Sequence, residues 1–524
     1  MNDFIAKYQD QLSGALSGFD RLVFRGTLWR DRITGMKGYL WAHHLGCKDF
    51  ATHAEQISQK LKEASLAPVL SAGRPVCYLQ SGKDDKQQIA LEIAARDAVT
   101  EGPICVLKAV ELCSSYKIGR NQKTQQPELQ IAPRKCLFLY HYWMHPVFGF
   151  MSARLQTWFP FPIHIYMNGR EWLARQMNEV GIRYRRHDNC FTWIEDLPRA
   201  QALMDQQLKV NWGQCFQELA ERIHPLLFSE MAVNYPMRYY WTCAESEWAT
   251  DLMFRDSDQL RRLVPRLMQL GIVGFSSPDV LRFMGKKVSR QGLPMGPNPL
   301  QIASDWKVRK IGARVKHRLG PNSLKLYDKA YDELGAVLRA EITISVPKYF
   351  RIFRRTDDPH SEPALRPMRQ SLADVYQRAE VSQKCLDRYC SALATVDDST
   401  TLSELTAAVE RRVRWKGLPV RALHPFDPDD HALLKAVNRA EFTIHGLRNR
   451  DLQTLLYPTT PKTKAQQRRR SAAISRKLRM LRAHGLIRKR PRSHRYDVSP
   501  KGRLILNAIL LAHQMTLHQL SAAA

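Results

Sequence analysis

The sequence lacks the features of several large protein classes. None of its 524 residues lies in an uninterrupted apolar run close to the roughly 18 residues that a membrane-spanning helix needs. The ten cysteines are scattered, and the closest pair, Cys385 and Cys390, has the spacing of neither a zinc knuckle nor a CxxC redox pair. GxxxxGK[ST], GxGxxG, HExxH and GxSxG are also absent. We therefore expect a cytoplasmic protein with reduced thiols, no membrane span and none of the chemistries that depend on those motifs.

Negative charge is also scarce. The chain has 80 Lys and Arg against 50 Asp and Glu, a formal charge of +30 with a pI near 9.9. Such an excess predicts a polyanionic partner, and without a membrane span nucleic acid is favoured over a lipid surface. The charge is concentrated near the carboxyl end, since residues 462–503 contain 16 Lys or Arg and one acid, Asp497.

The basic segment has apolar order, which a solvated tail would lack. Ile474, Leu478 and Leu481 recur at helical spacing, so one face of a helix is predicted to pack while the other is cationic. The following "LIRK" and "RYDVS" predict a hairpin with a turn at "RPRSH". Two amphipathic helices are predicted before this segment and one after it. The candidate contact residues are Arg468, Arg469, Arg476 and Arg479 on the helix and Arg490, Arg492, His494 and Arg495 at the hairpin tip.

This order of helices and hairpin, with "ISRKLRMLRAHGLIRK" and "HRYDVSPKGR", resembles the winged-helix DNA-binding domain of the MarR-like bacterial regulators over residues 428–524. The resemblance implies that the basic helix enters the major groove of double-stranded DNA and that the hairpin contacts the adjacent backbone or minor groove. Cationic side chains that release counterions from phosphate give an independent physical reason for binding. The alternative is a winged helix that contacts only protein or RNA.

The rest of the chain is predicted to be multidomain, of class α/β plus α. Helical patterns alternate with short apolar strands in the first 200 residues, which indicates an α/β domain. The predicted segments are an α/β domain at 1–200, a helical domain at 201–300, a β-rich segment at 301–360, a helical segment and linker at 361–427, and the winged helix at 428–524.

Aromatic residues are concentrated in one part of the α/β domain. Eleven lie between Phe138 and Trp172, with Arg154 and Arg170 among them. Such a surface could stack the bases of single-stranded DNA or RNA. Because Phe138 and Tyr140 alternate as strand positions do, the favoured alternative is that these rings belong to buried core strands.

The segment 322–355 contains a second candidate site. Its pattern "YDK...LR.E" resembles a segment of some rolling-circle replication initiators, which implies a divalent cation, Mg²⁺ or Mn²⁺, at Asp328 and Glu341, with Tyr327 near the attacked phosphate. No two of the 17 histidines are two positions apart, so the His-hydrophobic-His metal strand of many such enzymes is absent. The alternative is an Arg339–Glu341 salt bridge on a basic sheet.

In "AESEWATDLMFRD", the carboxylates of Glu247 and Asp251 lie four residues apart. On a helix they would share one face and could bind a metal ion. Asp251 is also four residues before Arg255, so a ladder of helical charge pairs is the favoured interpretation.

Over nearly its full length the chain resembles an uncharacterised bacterial family associated with mobile elements, through "FDRLVFRGTL", "RLQTWFPF", "NSLKLYDK" and "RAHGLIRK". The expected function is a replication or recombination factor that binds double-stranded DNA and could be a metal-dependent nuclease. The rival expectation is a non-enzymatic transcription regulator or nucleoprotein scaffold that also binds RNA. Either could be an oligomer.

Overall fold

The structure is a computed structural model that describes residues 1–29, 31–80, 84–286, 301–309, 312–332, 335–356, 358, 360–395, 402–439, 442, 446–461, 463–491 and 493–514. It is a mixed α/β protein, as predicted. The predicted contact residue Arg492 lies outside the described residues.

The helices of the described residues are α1 Asn2–Lys7, α2 Arg32–Ala42, α3 Phe50–Ser71, α4 Lys86–Arg96, α5 Gly169–Glu179, α6 Leu197–Asp205, α7 Trp212–Ile223, α8 Ser257–Gln269, α9 Ser277–Phe283, α10 Val375–Leu393, α11 Leu402–Ala407, α12 Pro428–Val437, α13 Asn449–Leu456, α14 Lys464–Ala483 and α15 Pro500–Gln514.

The strands are β1 Leu12–Thr27, β2 Val76–Tyr78, β3 Gly102–Arg120, β4 Pro127–His145, β5 Gly149–Gln156, β6 Ile163–Asn168, β7 Tyr184–His187, β8 Cys190–Ile194, β9 Tyr240–Phe254, β10 Ile302–Val308, β11 Ala313–Leu319, β12 Asn322–Asp332, β13 Gly335–Ile344, β14 Arg351–Arg354, β15 Ala364–Pro367, β16 Val413–Trp415, β17 Leu418–Val420, β18 Ile487–Lys489 and β19 Tyr496–Val498.

The chain divides into two compact units, each built from separated stretches. The first unit contains residues 1–12, 256–328 and 384–524, and the second contains residues 13–255 and 329–383. The five consecutive ranges predicted from the sequence do not describe this discontinuous organisation.

The second unit is built on a sheet with strand order β13-β9-β1-β6-β5-β4-β3-β2. The β2–β3 pair is parallel, whereas β9–β13, β1–β6 and the pairs from β3 to β6 are antiparallel. On one side, Trp212 and Phe216 of α7 pack against Phe24 of β1. Long central strands therefore have an apolar cover on this side.

Most of the predicted aromatic concentration belongs to the core of this unit. Of the eleven rings between Phe138 and Trp172, only those of Tyr140 and Tyr166 are partly exposed, and the other nine are buried. The core interpretation is confirmed for these nine, which leaves little surface for a base-stacking platform.

The helical prediction for 201–300 is wrong at residues 240–254, which form strand β9. Nine consecutive residues from Ser246 to Phe254 are buried, so the two-residue alternation that marks a half-exposed strand is missing. A separation of four also places Glu247 and Asp251 on one side of a strand as well as of a helix. The predicted ladder of helical charge pairs is therefore replaced by a strand with inward-facing carboxylates.

The first unit contains residues 301–328 of the β-rich segment predicted after residue 300, where β10, β11 and the start of β12 are paired antiparallel in that order. Its C-terminal part has a separate apolar core to which α12, α13, α14 and α15 contribute, including Leu434, Leu452, Ile474, Leu481 and Ile505. The predicted helices and hairpin of this region are confirmed at the level of secondary structure. In the hairpin, Ile487 pairs with Val498, and Lys489 pairs with Tyr496.

One part of the predicted linker has regular structure. Residues 413–420 form the hairpin β16–β17, in which Trp415 pairs with Leu418 across the turn residues Lys416 and Gly417. Both turn residues have positive φ, 51° and 78°, which is the conformation of a two-residue type I′ turn. The hairpin is anchored through Val420, which is buried in the same apolar cluster as Ile474.

Candidate metal centre and nucleic-acid interface

Three carboxylates converge on the sheet of the second unit. Asp20 lies on β1, Glu247 on β9 and Glu341 on β13, which are neighbouring strands. One oxygen of each lies within 4.8 Å of the others. All three side chains are buried, with relative exposures of 4%, 7% and 1%. Among the described residues this is the one group of three or more potential ligands that could hold a metal ion.

Buried carboxylates are costly unless partners compensate their charge. Arg339 of β13, which is fully buried, donates to Asp251 from Nε at 2.5 Å and from Nη2 at 2.9 Å. Its Nη1 donates to Oδ2 of Asp20 at 3.1 Å. Arg170 at the start of α5 is also fully buried and lies 3.1 Å from Asp251. The guanidinium groups of Arg339 and Arg170 therefore lie at one end of this set of carboxylates.

A third arginine lies at the other end. Arg21 contacts Glu245 at 2.5 Å through Nη2 and Glu247 at 3.2 Å through Nε. The hydroxyls of Thr343 and Ser345 donate to Glu247 and Glu245, both at 3.0 Å. Arg21 and Glu245 are about one-third exposed, so this end reaches solvent.

The carboxylate of Asp20 is only partly satisfied by hydrogen bonds. Its Oδ2 accepts from Asn189 at 2.7 Å and from Arg339, whereas its buried Oδ1 has no hydrogen-bond partner. Burial raises the pKa of Asp20, and this effect exceeds the lowering by Arg339 and Arg170. For Asp251, burial acts to raise the pKa, but Arg339 and Arg170 together lower it. A buried carboxylate oxygen without a donor would be satisfied by a cation.

The geometry and charge of this group suit a divalent cation. Bonds of about 2.1 Å to Mg²⁺ or 2.3–2.6 Å to Ca²⁺ allow ligand oxygens to lie at most about 4.2–5.2 Å apart. The three oxygens here lie within 4.8 Å of one another. Within this described group, five carboxylates (those of Asp20, Glu245, Glu247, Asp251 and Glu341) meet three guanidiniums (those of Arg21, Arg170 and Arg339). Carboxylates therefore outnumber guanidiniums among the residues named.

A row of basic residues crosses the same sheet. Arg25 on β1 pairs with His164 on β6, which pairs with Arg154 on β5, so the three side chains share one face. Arg21 shares this face, since it lies four residues before Arg25 on the same strand. Burial lowers the pKa of His164 to about 4, with Arg154 and Arg25 adding to the effect, so His164 is neutral at pH 7.

Arg154 is held in this row by its neighbours. Its guanidinium lies 4.1 Å from the ring of Phe138 and 3.3 Å from Glu111. Its buried Nε–H has no hydrogen-bond partner. Arginines aligned beside a carboxylate centre are the type of surface that binds phosphate groups.

The structure places the residues predicted for a metal site in different surroundings. Glu341 belongs to the carboxylate group with Asp20 and Glu247. Asp328, on β12, accepts a hydrogen bond from the backbone N–H of Ala313 at 2.7 Å. Tyr327 is buried, and its ring lies 5.4 Å from the guanidinium of Arg309.

The sequence pattern around Glu341 therefore identified one residue of the group. Glu247 was a metal candidate on a predicted helix and is a member of the group on a strand. Asp20, in "FDRLVFRG", was missed. The feature of the sequence that could have identified Asp20 is its position as the one acid in an otherwise apolar and basic strand segment.

In the first unit, α14 has the two faces that its sequence predicts. Ile474, Leu478 and Leu481 are buried. The four arginines predicted to contact nucleic acid from this helix are exposed: Arg468, Arg469, Arg476 and Arg479. The cationic face is therefore available to a partner.

The hairpin β18–β19 places its predicted residues differently. Arg490 is held by Asp497, with Nε and Nη2 at 2.7–2.9 Å from the carboxylate oxygens. Arg495 is partly buried, and His494 is exposed. His494 lines a groove of about 460 Å³, together with residues of α13, α14 and the segments beside them: Arg448, Asn449, Arg450, Gln453, Ser471, Ser475, Leu478 and Tyr496.

Comparison of the chain with protein-family models, curated proteins and solved structures gives no match. Among the described residues, no helix combines the length and the apolar character that crossing a membrane would require. All ten cysteines are free thiols in the structure.

Proposed function

We propose that the protein is a divalent-cation-dependent enzyme that acts on phosphodiester bonds of DNA and is anchored to duplex DNA through residues 428–524. The observation that carries the proposal is the buried group of Asp20, Glu247 and Glu341, with an Asp20 oxygen that lacks a donor. The proposal includes a winged-helix arrangement of the C-terminal elements, a cytoplasmic location and a role in replication or recombination of a mobile element.

The chemistry follows from the ligand type. Carboxylate oxygens bind Mg²⁺ or Mn²⁺, and such a cation stabilises charge on a phosphate and activates a bound water. In hydrolysis the water oxygen forms a new bond to phosphorus while a bond from phosphorus to a sugar oxygen breaks. The departing oxygen takes up a proton. Arg25 and Arg154 would bind neighbouring phosphates of the same strand.

The first test is nicking of supercoiled plasmid in Mg²⁺ or Mn²⁺. We expect nicking by the wild type and a nicking rate at least about 100-fold lower in Glu341→Gln. Replacing residues that only hydrogen-bond to metal ligands already lowers metal affinity or activity by about 10 to 100-fold. Glu179→Gln is the matched control, since Glu179 is exposed at the end of α5. Thermal melting of each variant checks that it is folded.

Binding of Mn²⁺, followed by electron paramagnetic resonance, tests the metal centre without relying on activity. We expect one tightly bound ion in the wild type and weaker binding in Glu341→Gln and Asp20→Asn. An intact plasmid with both metals, together with equal Mn²⁺ binding in wild type and variants, would refute the enzyme proposal.

The second candidate function is a non-enzymatic regulator or nucleoprotein scaffold that binds DNA or RNA. It is favoured by the exposed arginines of α14, which need no metal centre to bind a polyanion. Sequencing of the nucleic acid that copurifies with the protein separates DNA from RNA and shows any preferred sequence.

A further inference from the structure

The hairpin β16–β17 carries a dense positive charge on an exposed surface. Arg411 and Arg412 directly precede β16, Arg414 lies on β16 and Lys416 in the turn, and all four are exposed. The type I′ turn at Lys416 and Gly417 gives the hairpin a defined tip. Leu418 beside the turn is 56% exposed, so the tip also presents an apolar side chain.

This hairpin packs beside the cationic face of α14. A cavity of about 320 Å³ separates them, lined on the hairpin side by Trp415, Lys416 and Leu418. Its other walls are Ser475, Arg479 and Arg482 of α14 and Tyr496 of β19. The hairpin, the helix and β19 thus share one concave surface.

Arg482 connects the two hairpins through this surface. Its guanidinium lies 5.3 Å from the ring of Trp415 and 5.9 Å from the ring of Tyr496. Two cation–π contacts at these distances orient both aromatic side chains around one charged group. The position of β16–β17 relative to α14 is therefore set by packing.

We propose that the hairpin β16–β17 is a second wing, which binds the phosphate backbone of duplex DNA beside the segment contacted by α14. This inference rests on the proposed DNA binding by α14 and extends its footprint. Duplex DNA is the occupant because its regular row of phosphates matches the four exposed cations on and directly before the hairpin and the adjoining Arg479.

The test compares full-length variants by fluorescence anisotropy with a duplex of about 30 base pairs over a range of KCl concentrations, without divalent cations. The hairpin variant is Arg412→Gln/Arg414→Gln/Lys416→Asn, in which asparagine retains the turn conformation. The matched control, Arg183→Gln/Arg199→Gln/Arg262→Gln, removes the same charge from exposed positions elsewhere. The slope of log affinity against log salt is negative, and its magnitude falls by about 0.9 for each phosphate that a variant no longer neutralises. We expect a reduction of roughly 2 to 3 for the hairpin variant and little change for the control.

A second variant, which adds charge, keeps the test informative if the hairpin variant does not fold. Leu418→Lys places a further cation at the tip, so the magnitude of the negative slope should increase by about 0.9. Hydroxyl-radical footprinting should show protection that shortens at one edge in the hairpin variant. Equal slopes and footprints for the hairpin variant and the control would overturn the second wing.

Arg476→Ala/Arg479→Ala is measured in parallel to distinguish the two proposals. If this variant loses affinity while the hairpin variant matches its control, α14 binds DNA and the second wing is refuted. If neither variant differs from wild type, DNA binding by this part of the chain is refuted as well.

Discussion

At the scale of single residues, the protein's most unusual feature is its set of buried charges. Arg170, Arg339 and Asp251 are fully buried, and Asp20 and Glu341 nearly so. Each of the two arginines contacts at least one of these carboxylates, so Asp20 and Asp251 share a network of ion pairs with them. Removing one member should lower the free energy of unfolding by more than the contribution of one ion pair, because the remaining charges stay buried without their partner.

Arg339→Met tests this network. Asp20 and Asp251 would both lose a guanidinium partner, so we expect the free energy of unfolding to fall by about 3–5 kcal/mol. Urea denaturation provides the measurement. Arg183→Met is the control, because Arg183 is 78% exposed and its pair with Glu195 should contribute about 0–1 kcal/mol. A loss for Arg339→Met no larger than that of the control would show that the network contributes little.

His141 gives a prediction about acid stability. It is buried on β4, its Nε2 lies 3.0 Å from the hydroxyl of Ser65, and burial lowers its pKa to about 4. An unfolded chain has a histidine pKa of about 6.5, so protonation favours unfolding. Its contribution to stability is complete above about pH 6.5 and is lost as the pH falls towards about 4.

Melting temperatures measured from about pH 8 to about pH 4.5 should therefore fall more steeply with acid in the wild type than in His141→Gln. His360→Gln, at an exposed position, serves as the control and should follow the wild type. Parallel curves for all three proteins would exclude His141 as a source of acid sensitivity.

At the scale of elements, close packing of α5 against β1 positions the arginine network. Gly169 is the first residue of α5, and a Cβ at this position would lie 1.9 Å from the carbonyl oxygen of Phe19. The next residue is Arg170, which contacts Asp251, and the residue after Phe19 is Asp20. Helix and strand can approach this closely only because Gly169 has no side chain.

Gly169→Ala should push α5 away from β1, lowering the free energy of unfolding by about 1–3 kcal/mol. If the carboxylate group binds a cation, the affinity for Mn²⁺ should fall in the same variant, because Asp20 and Arg170 both move. Gly213→Ala in the first turn of α7 is the control, since its nearest neighbour would lie at an ordinary 3.6 Å. Equal stability of the two variants would mean that the close approach can relax freely.

At the scale of the whole molecule, the formal charge of +30 dominates interactions with polyanions. Not every basic side chain is available to such a partner, since Arg490 is held in an ion pair with Asp497. The exposed arginines of α14 are a better measure of what a nucleic acid would meet.

Arg476→Ala/Arg479→Ala should weaken binding to duplex DNA similarly for different sequences if these arginines bind phosphate. The magnitude of the negative slope of log affinity against log salt should decrease by about 0.9 for each phosphate that is no longer bound. Titration of a labelled duplex at several salt concentrations gives both quantities. Loss of affinity for one sequence alone would instead indicate that these arginines contact base edges.

The sequence by itself determined the elements that have clear periodicity. The apolar spacing of Ile474, Leu478 and Leu481 was sufficient for α14, and the apolar runs "GPICVLKAVEL" and "KCLFLYHYW" for β3 and β4. It also indicated the position of the charge, because arginines opposite an apolar helical face that packs must face solvent.

Only the tertiary structure decided which acids meet. Asp20, Glu247 and Glu341 are separated by more than 90 residues from one another in the chain. They converge because β1, β9 and β13 pair side by side, and strand pairing depends on long-range contacts that no local pattern encodes. The tertiary structure was also needed to identify β9, since burial on both faces removes the alternation by which a strand is recognised. It was needed as well to place β16–β17, because the position of this hairpin depends on packing against α14.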